Sequence, residues 1–298
     1  MKNNPNDIRY IDLRIDYAFK HVFGREGCEE NLRELLNCIL PEKHIRKVIL
    51  GPQEQTGDRP DSKRAIYDIF CTTDSGEMVT VEMQLLEQSW MGDRMLYYSS
   101  YPIRTQMRRG DGDYHLSPVC IIGILDFVMP GVKTNEKVIN RFSIRSDTDK
   151  DVLLTDSVEF VTVELPKMSK KIDELANDTE ILLYLLRNLG SMKSVPDCIK
   201  RNEIIKDIVS MAEYSAMTEK EQWQYMRELM AEVDDRARYN CALKKGLNQG
   251  LSEGLEQGLE QGASSARMDT ARNLKRLGVS VDIICQATGI ERSVVEGL

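Results

Sequence analysis

The sequence predicts an α/β protein, in which a mixed central β-sheet is flanked by helices and followed by a C-terminal all-helical region. Helical periodicity opens the chain, two β-rich runs separated by turn chemistry follow from residue 65, and strand signals stop after Pro166. At 298 residues there is ample chain for a sizeable core.

Ile15, Phe19, Val22 and Phe23 recur at helical spacing, which predicts a helix over residues 12–23 with Asp12 as N-cap and Gly24 as stop. Leu32, Leu35, Leu36 and Ile39 share one face of a second helix, ended by Pro41. From Ala65 to Thr72 and from Met78 to Leu85 the chain is rich in Ile, Val, Phe, Tyr and Thr. Asp74-Ser75-Gly76 between these runs is turn chemistry, so together they read as a β-hairpin. Residues 88–109 read as a helix perturbed by Pro102, Val119 to Val128 as a buried strand, and Arg141 to Arg145 and Val158 to Leu165 as two more. A hairpin, a crossover helix and a strand in that order are typical of a mixed sheet.

Beyond a boundary near residue 166, helices are expected over 170–190 and 199–245, the latter burying Ile204, Ile205, Ile208, Val209 and Met211. Glycines then recur every four residues at 246, 250, 254, 258 and 262. Each costs a helix interior roughly 1 kcal/mol relative to Ala, so the segment reads as a low-complexity linker or as a stripe packed closely on another helix. Leu274, Leu277, Val281, Ile284, Ala287, Gly289, Ile290 and Val294 suggest a small helix-turn-helix, a unit that makes protein contacts more often than it reads DNA. The expected domains are thus 1–166, 167–245, 246–262 and 263–298.

Composition excludes several classes. The longest apolar run, Val119 to Leu125, is too short to span a bilayer, and the polar N-terminus resembles neither a secretory signal nor a transit peptide, so a soluble cytoplasmic protein is expected. Seven cysteines without a C-x-x-C pair, and three scattered histidines, argue against disulfides and against a zinc site. A net charge of −8 argues against a nucleic-acid partner, but Arg94, Arg104, Arg108 and Arg109 cluster in one stretch, and a local groove is not governed by whole-chain charge.

The hairpin carries the chemistry. A three-residue loop with Gly76 in a left-handed conformation pairs Thr73 with Glu77, and counting outward sets Cys71 opposite Val79 and Asp68 opposite Glu82. Two carboxylates facing each other repel, and Asp68 shares its face with Ile66 and Phe70, where an unpaired charge is expensive. A divalent cation would offset that cost, and a carboxylate pair favours Mg²⁺ over zinc. Glu82 and Gln84 share one strand face while Val81, Met83 and Leu85 take the other. For Glu82 and Gln84 alone, a strand with one wet face is the better explanation of the alternation; for Asp68 it does poorly.

Tyr67-Asp68-Ile69-Phe70, the hairpin and Val81-Glu82-Met83-Gln84 resemble the Asp, hairpin, Glu-x-Lys signature of the PD-(D/E)XK nuclease superfamily. With the opening Asp16-Tyr17-Ala18-Phe19-Lys20-x-x-Phe23, the Arg94-x-x-Tyr97-Tyr98 helix and the Gly-rich tail, the chain resembles the recombination-promoting nuclease / putative transposase family over nearly its whole length. The resemblance implies a restriction-endonuclease-like core and Mg²⁺-dependent hydrolysis of DNA phosphodiester bonds, with Mn²⁺ as a substitute ion. It also implies that Asp68 and Glu82 ligate the metal with the Met83 backbone carbonyl, and that Asp16 reaches it through water. Phe19 and Phe23 lie along the same helix face and would turn Asp16 inward; the alternative is a solvated helix residue. Gln84 departs from the superfamily's usual Lys: it can orient a water or a phosphate oxygen but cannot act as a general acid or base.

Lys20, Arg94, Arg104 and Arg108 are candidates for DNA phosphate, although Lys20 also reads as a surface lysine. Arg94, Tyr97, Tyr98 and Tyr101 recur at helical spacing, so that face either meets the nucleic acid or packs the helix on the sheet. The expectation is a DNA endonuclease of recombination or transposition, with a homo-oligomer possible through the C-terminal helical region. The alternatives are a non-catalytic interaction protein that keeps the fold, and a metal-dependent nuclease acting on RNA.

Overall fold

The structure, a computed structural model, describes residues 8–52, 54–55, 65–107, 110, 112, 114–132, 135–197, 199 and 202–298. The first helix, α1 (Asp16–Phe23), starts one turn later than its periodicity suggests. Asp12 does not cap it: both Asp12 carboxylate oxygens are taken by the Arg14 side chain, and its carbonyl accepts the Ile15 N–H. Ile15 stands at the N-cap position, with no side chain able to accept a hydrogen bond there. Gly24 does end α1, and α2 (Glu29–Ile39) follows, stopped before Pro41.

The hairpin forms in the register counted from its loop. Strands β1 (Val48–Leu50), β2 (Glu54–Gln55), β3 (Ala65–Ile66), β4 (Ile69–Thr73) and β5 (Met78–Gln84) come next, with Cys71 opposite Val79. Gly76 has φ 82°, and the Thr73 N–H donates to the Glu77 carbonyl at 2.9 Å. The predicted first arm, however, is broken at Tyr67-Asp68. Ala65 and Ile66 pair with β2 in a separate two-stranded ladder, and the main sheet is entered only at Ile69.

Helix α3 (Met91–Arg104), β6 (Val119–Leu125), β7 (Ile139–Ser143) and β8 (Val158–Glu164) complete a six-stranded mixed sheet of order β1-β4-β5-β6-β8-β7. Its centre, β5-β6-β8, is parallel, and its flanks are antiparallel. Ile69, Val81, Met83, Ile122, Ile124, Val161 and Val163 point to one face, where they share a core with α1, α2, α4 (Asp178–Asn188) and α5 (Glu203–Met211). On the opposite face Val119, Ile121 and Leu125 pack with Met91 and Met95 of α3. Gly123, the register neighbour of Glu82, lets α3 approach: a Cβ there would lie 3.2 Å from the Met91 Cε.

The helical stretch predicted over 199–245 is two helices, α5 and α6 (Glu219–Arg276). The break has a tertiary cause. Between them the backbone pairs with the N-terminal segment, with Ile11 N–H to Ala212 O at 2.9 Å and Tyr214 N–H to Arg9 O at 3.1 Å, bonds a continuous helix would forgo. Thr218 and Glu221 then start α6 with a reciprocal capping box. The Gly-Leu repeat is helical and lies within α6, with Leu247, Leu251, Leu255 and Leu259 exposed. The chain forms two compact units, Met1–Glu232 and Val233–Leu298. In the second, α7 (Val281–Thr288) and α8 (Arg292–Gly297) bury Ile284 and Val295 against Ala271 of α6. No helix among the described residues is long and apolar enough to cross a membrane.

Two glycines separate packing from propensity. A Cβ at Gly190 would sit 2.6 Å and 2.7 Å from the Cβ and Cα of Asp12, whereas one at Gly92 in α3 meets nothing within 4 Å. Gly190→Ala is expected to destabilise the protein by about 1–3 kcal/mol, and Gly92→Ala to stabilise it by roughly 0.5–1 kcal/mol. Urea unfolding of both variants checks this, and equal effects would contradict the packing described.

Candidate active site

Asp68 sits where β4 leaves the sheet. Its Oδ2 accepts the Met83 N–H at 2.6 Å, a donor that a continued antiparallel partner would have used, and its own N–H donates to Glu82 Oε1 at 3.3 Å. The hairpin count therefore does bring the two residues together, joined through backbone N–H groups rather than as a simple cross-strand pair. Both are buried, Asp68 at 9 % exposure and Glu82 at 1 %. In an extended strand a residue's N–H and C=O point to the same side, so the Met83 carbonyl also faces Asp68.

Two helices bring cations to this pair. From α1, Lys20 donates to Asp16 Oδ2 at 2.8 Å and stands 3.6 Å from Asp68 Oδ1. From α3, Arg94 donates to Glu82 Oε2 at 3.1 Å, and its other terminal nitrogen reaches Gln84 Oε1 and Gln88 Oε1 at 3.4 and 3.3 Å. The Gln88 amide also donates to Gln84 Oε1 at 3.1 Å, and the Arg94 guanidinium lies over the Tyr98 ring. Asp16, Lys20, Asp68, Glu82, Gln84 and Arg94, far apart in sequence, thus form one cluster.

The sequence profile of the PD-(D/E)XK nuclease family transposases matches residues 13–242. The chain belongs to that family. No curated protein and no solved structure matches it. The matched span begins just before α1 and runs into α6, so it takes in every element that builds the cluster.

Membership in the PD-(D/E)XK family gives the electrostatics a chemical meaning, because nucleases of this kind generally use divalent metal ions. Burial pushes the Asp68 carboxyl up to about 7, with the neighbouring Asp16 adding to the rise and Lys20 and the Met83 N–H opposing it. Burial also raises the Glu82 carboxyl well above its ordinary range, helped by Asp68 and opposed by Arg94. For Lys20 burial works downward, and Asp68 and Asp16 more than reverse it, so the ammonium stays charged. Two cations already face the pair and both carboxyls are still pushed up, because burial outweighs what Lys20 and Arg94 return. Among the described residues no group of three or more His, Cys, Asp or Glu side chains is arranged to hold a metal. Two carboxylates and a carbonyl nonetheless fit a hard ion such as Mg²⁺, which usually takes one or two carboxylates and completes its shell with water and substrate.

The remaining expected residues lie elsewhere. Arg104 is exposed in the last turn of α3 with its guanidinium over the Tyr101 ring, about 15 Å of helix beyond Arg94. Arg108 and Arg109, at the end of the predicted helix, lie outside the described residues. Tyr98 packs edge-on against Tyr67, whose hydroxyl donates to the Tyr98 carbonyl at 2.9 Å, while Tyr97 is 44 % exposed. Of the two readings of that face, packing describes Tyr98. Sequence reasoning missed Gln88, although its four-residue spacing from Gln84 is a usable signal, and Glu228 of α6, whose carboxylate accepts the Tyr17 N–H at 3.0 Å. Nothing in the local sequence marks Glu228.

The raised carboxyls set the sign of a pH dependence. Asp68 holds its proton more tightly folded than unfolded, where its pKa is about 3.9. Its contribution to stability is therefore fully present below about pH 4 and is lost as pH rises through about 7. In EDTA the melting temperature should fall between pH 5 and pH 8, and Asp68→Asn should flatten that fall. A variant as pH-sensitive as the parent would rule out this account of the site.

Proposed function

We propose that the protein is a metal-dependent DNA endonuclease that hydrolyses phosphodiester bonds in the cytoplasm, in the service of recombination or transposition. One observation carries the reading: two buried carboxyls, Asp68 and Glu82, are brought together beside a backbone carbonyl, with Lys20 and Arg94 facing them. Asp68, Glu82 and the Met83 carbonyl would hold Mg²⁺, or Mn²⁺ in its place, with Asp16 acting through water. A bound divalent ion would supply positive charge at the scissile phosphate and a water of lowered pKa. The family match supports a nuclease or transposase role.

The chain's own groups have distinct parts in this reading. Gln84, its oxygen fixed by Gln88 and Arg94, presents an amide that orients a water or a phosphate oxygen. Arg94 keeps a buried Nε that no described group accepts, and its terminal nitrogens hold Glu82, Gln84 and Gln88. Lys20 stands over Asp68 and supplies a second positive charge, and Arg104, exposed in the last turn of α3, would meet the DNA backbone, as would Arg108 by its place in the sequence. The exposed leucines of the Gly-Leu repeat favour association of the C-terminal helical region into a homo-oligomer, the arrangement that cutting both strands would use.

Purified protein should nick supercoiled plasmid with Mg²⁺ or Mn²⁺ and not in EDTA, and Glu82→Ala should lose on the order of 10²-fold or more of that rate while melting cooperatively. Cleavage of RNA but not DNA under the same conditions would move the substrate class. No metal-dependent cleavage of either, or equal rates for the variant, would leave an interaction protein built on the nuclease fold.

A further inference from the structure

The first turns of α6 meet α1 and the residues on either side of it through side chains at i, i+4 and i+7. Glu221 Oε1 accepts from Arg25 at 3.0 Å, the Tyr225 hydroxyl accepts the Asp12 N–H at 3.0 Å, and Glu228 Oε2 accepts the Tyr17 N–H at 3.0 Å. The last of these answers a need that the sequence of α1 leaves open. The opening N–H groups of a helix have no partner inside it, and Ile15 at the N-cap offers none. Asp16 is the first residue of α1 and Lys20 lies one turn on, bonded to it at 2.8 Å and reaching Asp68 at 3.6 Å.

We infer that Glu228 is a positioning residue of this active site: by accepting the Tyr17 amide it fixes the start of α1, and so sets Asp16 and Lys20 against Asp68. Its chemistry is unusual for a pure cap. A carboxylate beside Asp16 is repelled, and the Glu228 carboxyl is raised by burial and then by Asp16, with the Tyr17 N–H and Lys20 opposing. A Ser, Thr or Asn at position 15 would cap α1 locally without that repulsion. Capping from α6 instead makes the place of α1 depend on α6 being docked, and Tyr225, 2 % exposed with its hydroxyl on the Asp12 amide, locks α6 into that place. The hydrogen bond, not the charge, is the functional part, so an uncharged acceptor of the same length must serve.

The activity arm rests on the nuclease reading; a second arm does not. In the full chain, Glu228→Ala, Glu228→Gln and Glu221→Ala are compared by plasmid cleavage, by thermal melting and by amide hydrogen exchange over residues 15–24. Glu228→Ala should lower kcat about ten- to a hundredfold with KM little changed and speed exchange at the start of α1. Glu228→Gln, whose amide oxygen can still accept, should restore both to within about threefold. Glu221→Ala, which cuts the Arg25 pair and the capping box with Thr218 but leaves the Tyr225 and Glu228 bonds in place, should lower the melting temperature and leave kcat alone. A Gln variant as impaired as Ala, an Ala variant that matches wild type, or a kcat that follows stability in Glu221→Ala would overturn the assignment. If wild type cleaves nothing, the nuclease reading fails, while exchange sped by Ala and restored by Gln still supports the positioning role and unchanged exchange sinks it.

Discussion

A carboxylate taken almost wholly out of water needs donors, and Asp68 takes the Met83 N–H from the edge of β5. That single bond shapes the hairpin around it. The β4 ladder can run no further than Ile69, because the group that would pair next is already used, and the chain before it turns away to pair with β2. The same step leaves the Met83 carbonyl facing the carboxylate, and the Asp68 N–H is turned onto Glu82. What was a strand pair becomes a cluster of oxygen atoms, and both flanking layers are committed to it. Helix α1 must bring Lys20 from one side, and α3, seated close over Gly123, must bring Arg94 from the other.

This division explains what could be read from sequence. The loop Asp74-Ser75-Gly76 fixes the register, and strand periodicity then places Asp68 and Glu82 side by side without knowledge of the rest of the chain. The helix of Asp16, Phe19 and Phe23 is equally local, since its apolar stripe dictates which face is buried. What was not legible comes from outside such windows. The break at Tyr67-Asp68 arises because a side chain replaces a backbone partner, a competition that a periodicity count does not contain. The interruption between α5 and α6 comes from backbone pairing with residues 9–11 at the other end of the chain. Glu228 is silent for the same reason: on its own helix it is one more acid in a charged stretch, and its meaning comes from the uncapped turn of α1 against which it lands.

The charge balance of the whole chain, −8, therefore says little about the cluster. Locally the carboxylates of Asp68 and Glu82 are each met by one cation, and every one of these four groups comes from a different position in the fold: the edge before β4, β5, α1 and α3. Long-range Coulomb terms of surface acids are screened within about 8–10 Å at ordinary salt, whereas groups buried together are not. A protein of acidic composition can in this way keep a site whose electrostatics are its own.

Gln84 sharpens the point. Where the family signature more often places a lysine on β5, this chain has a neutral amide, and a cation of α3 lies across it: Arg94 bonds both Glu82 and the Gln84 oxygen. Positive charge is present at the motif, but a helix supplies it. The exchange is not chemically neutral. A guanidinium does not give up a proton at any pH the fold would survive, and the Lys20 ammonium is held charged by Asp68 and Asp16. Neither cation can serve as the acid or base of a hydrolysis near neutrality. Their contribution is restricted to charge and to donor geometry.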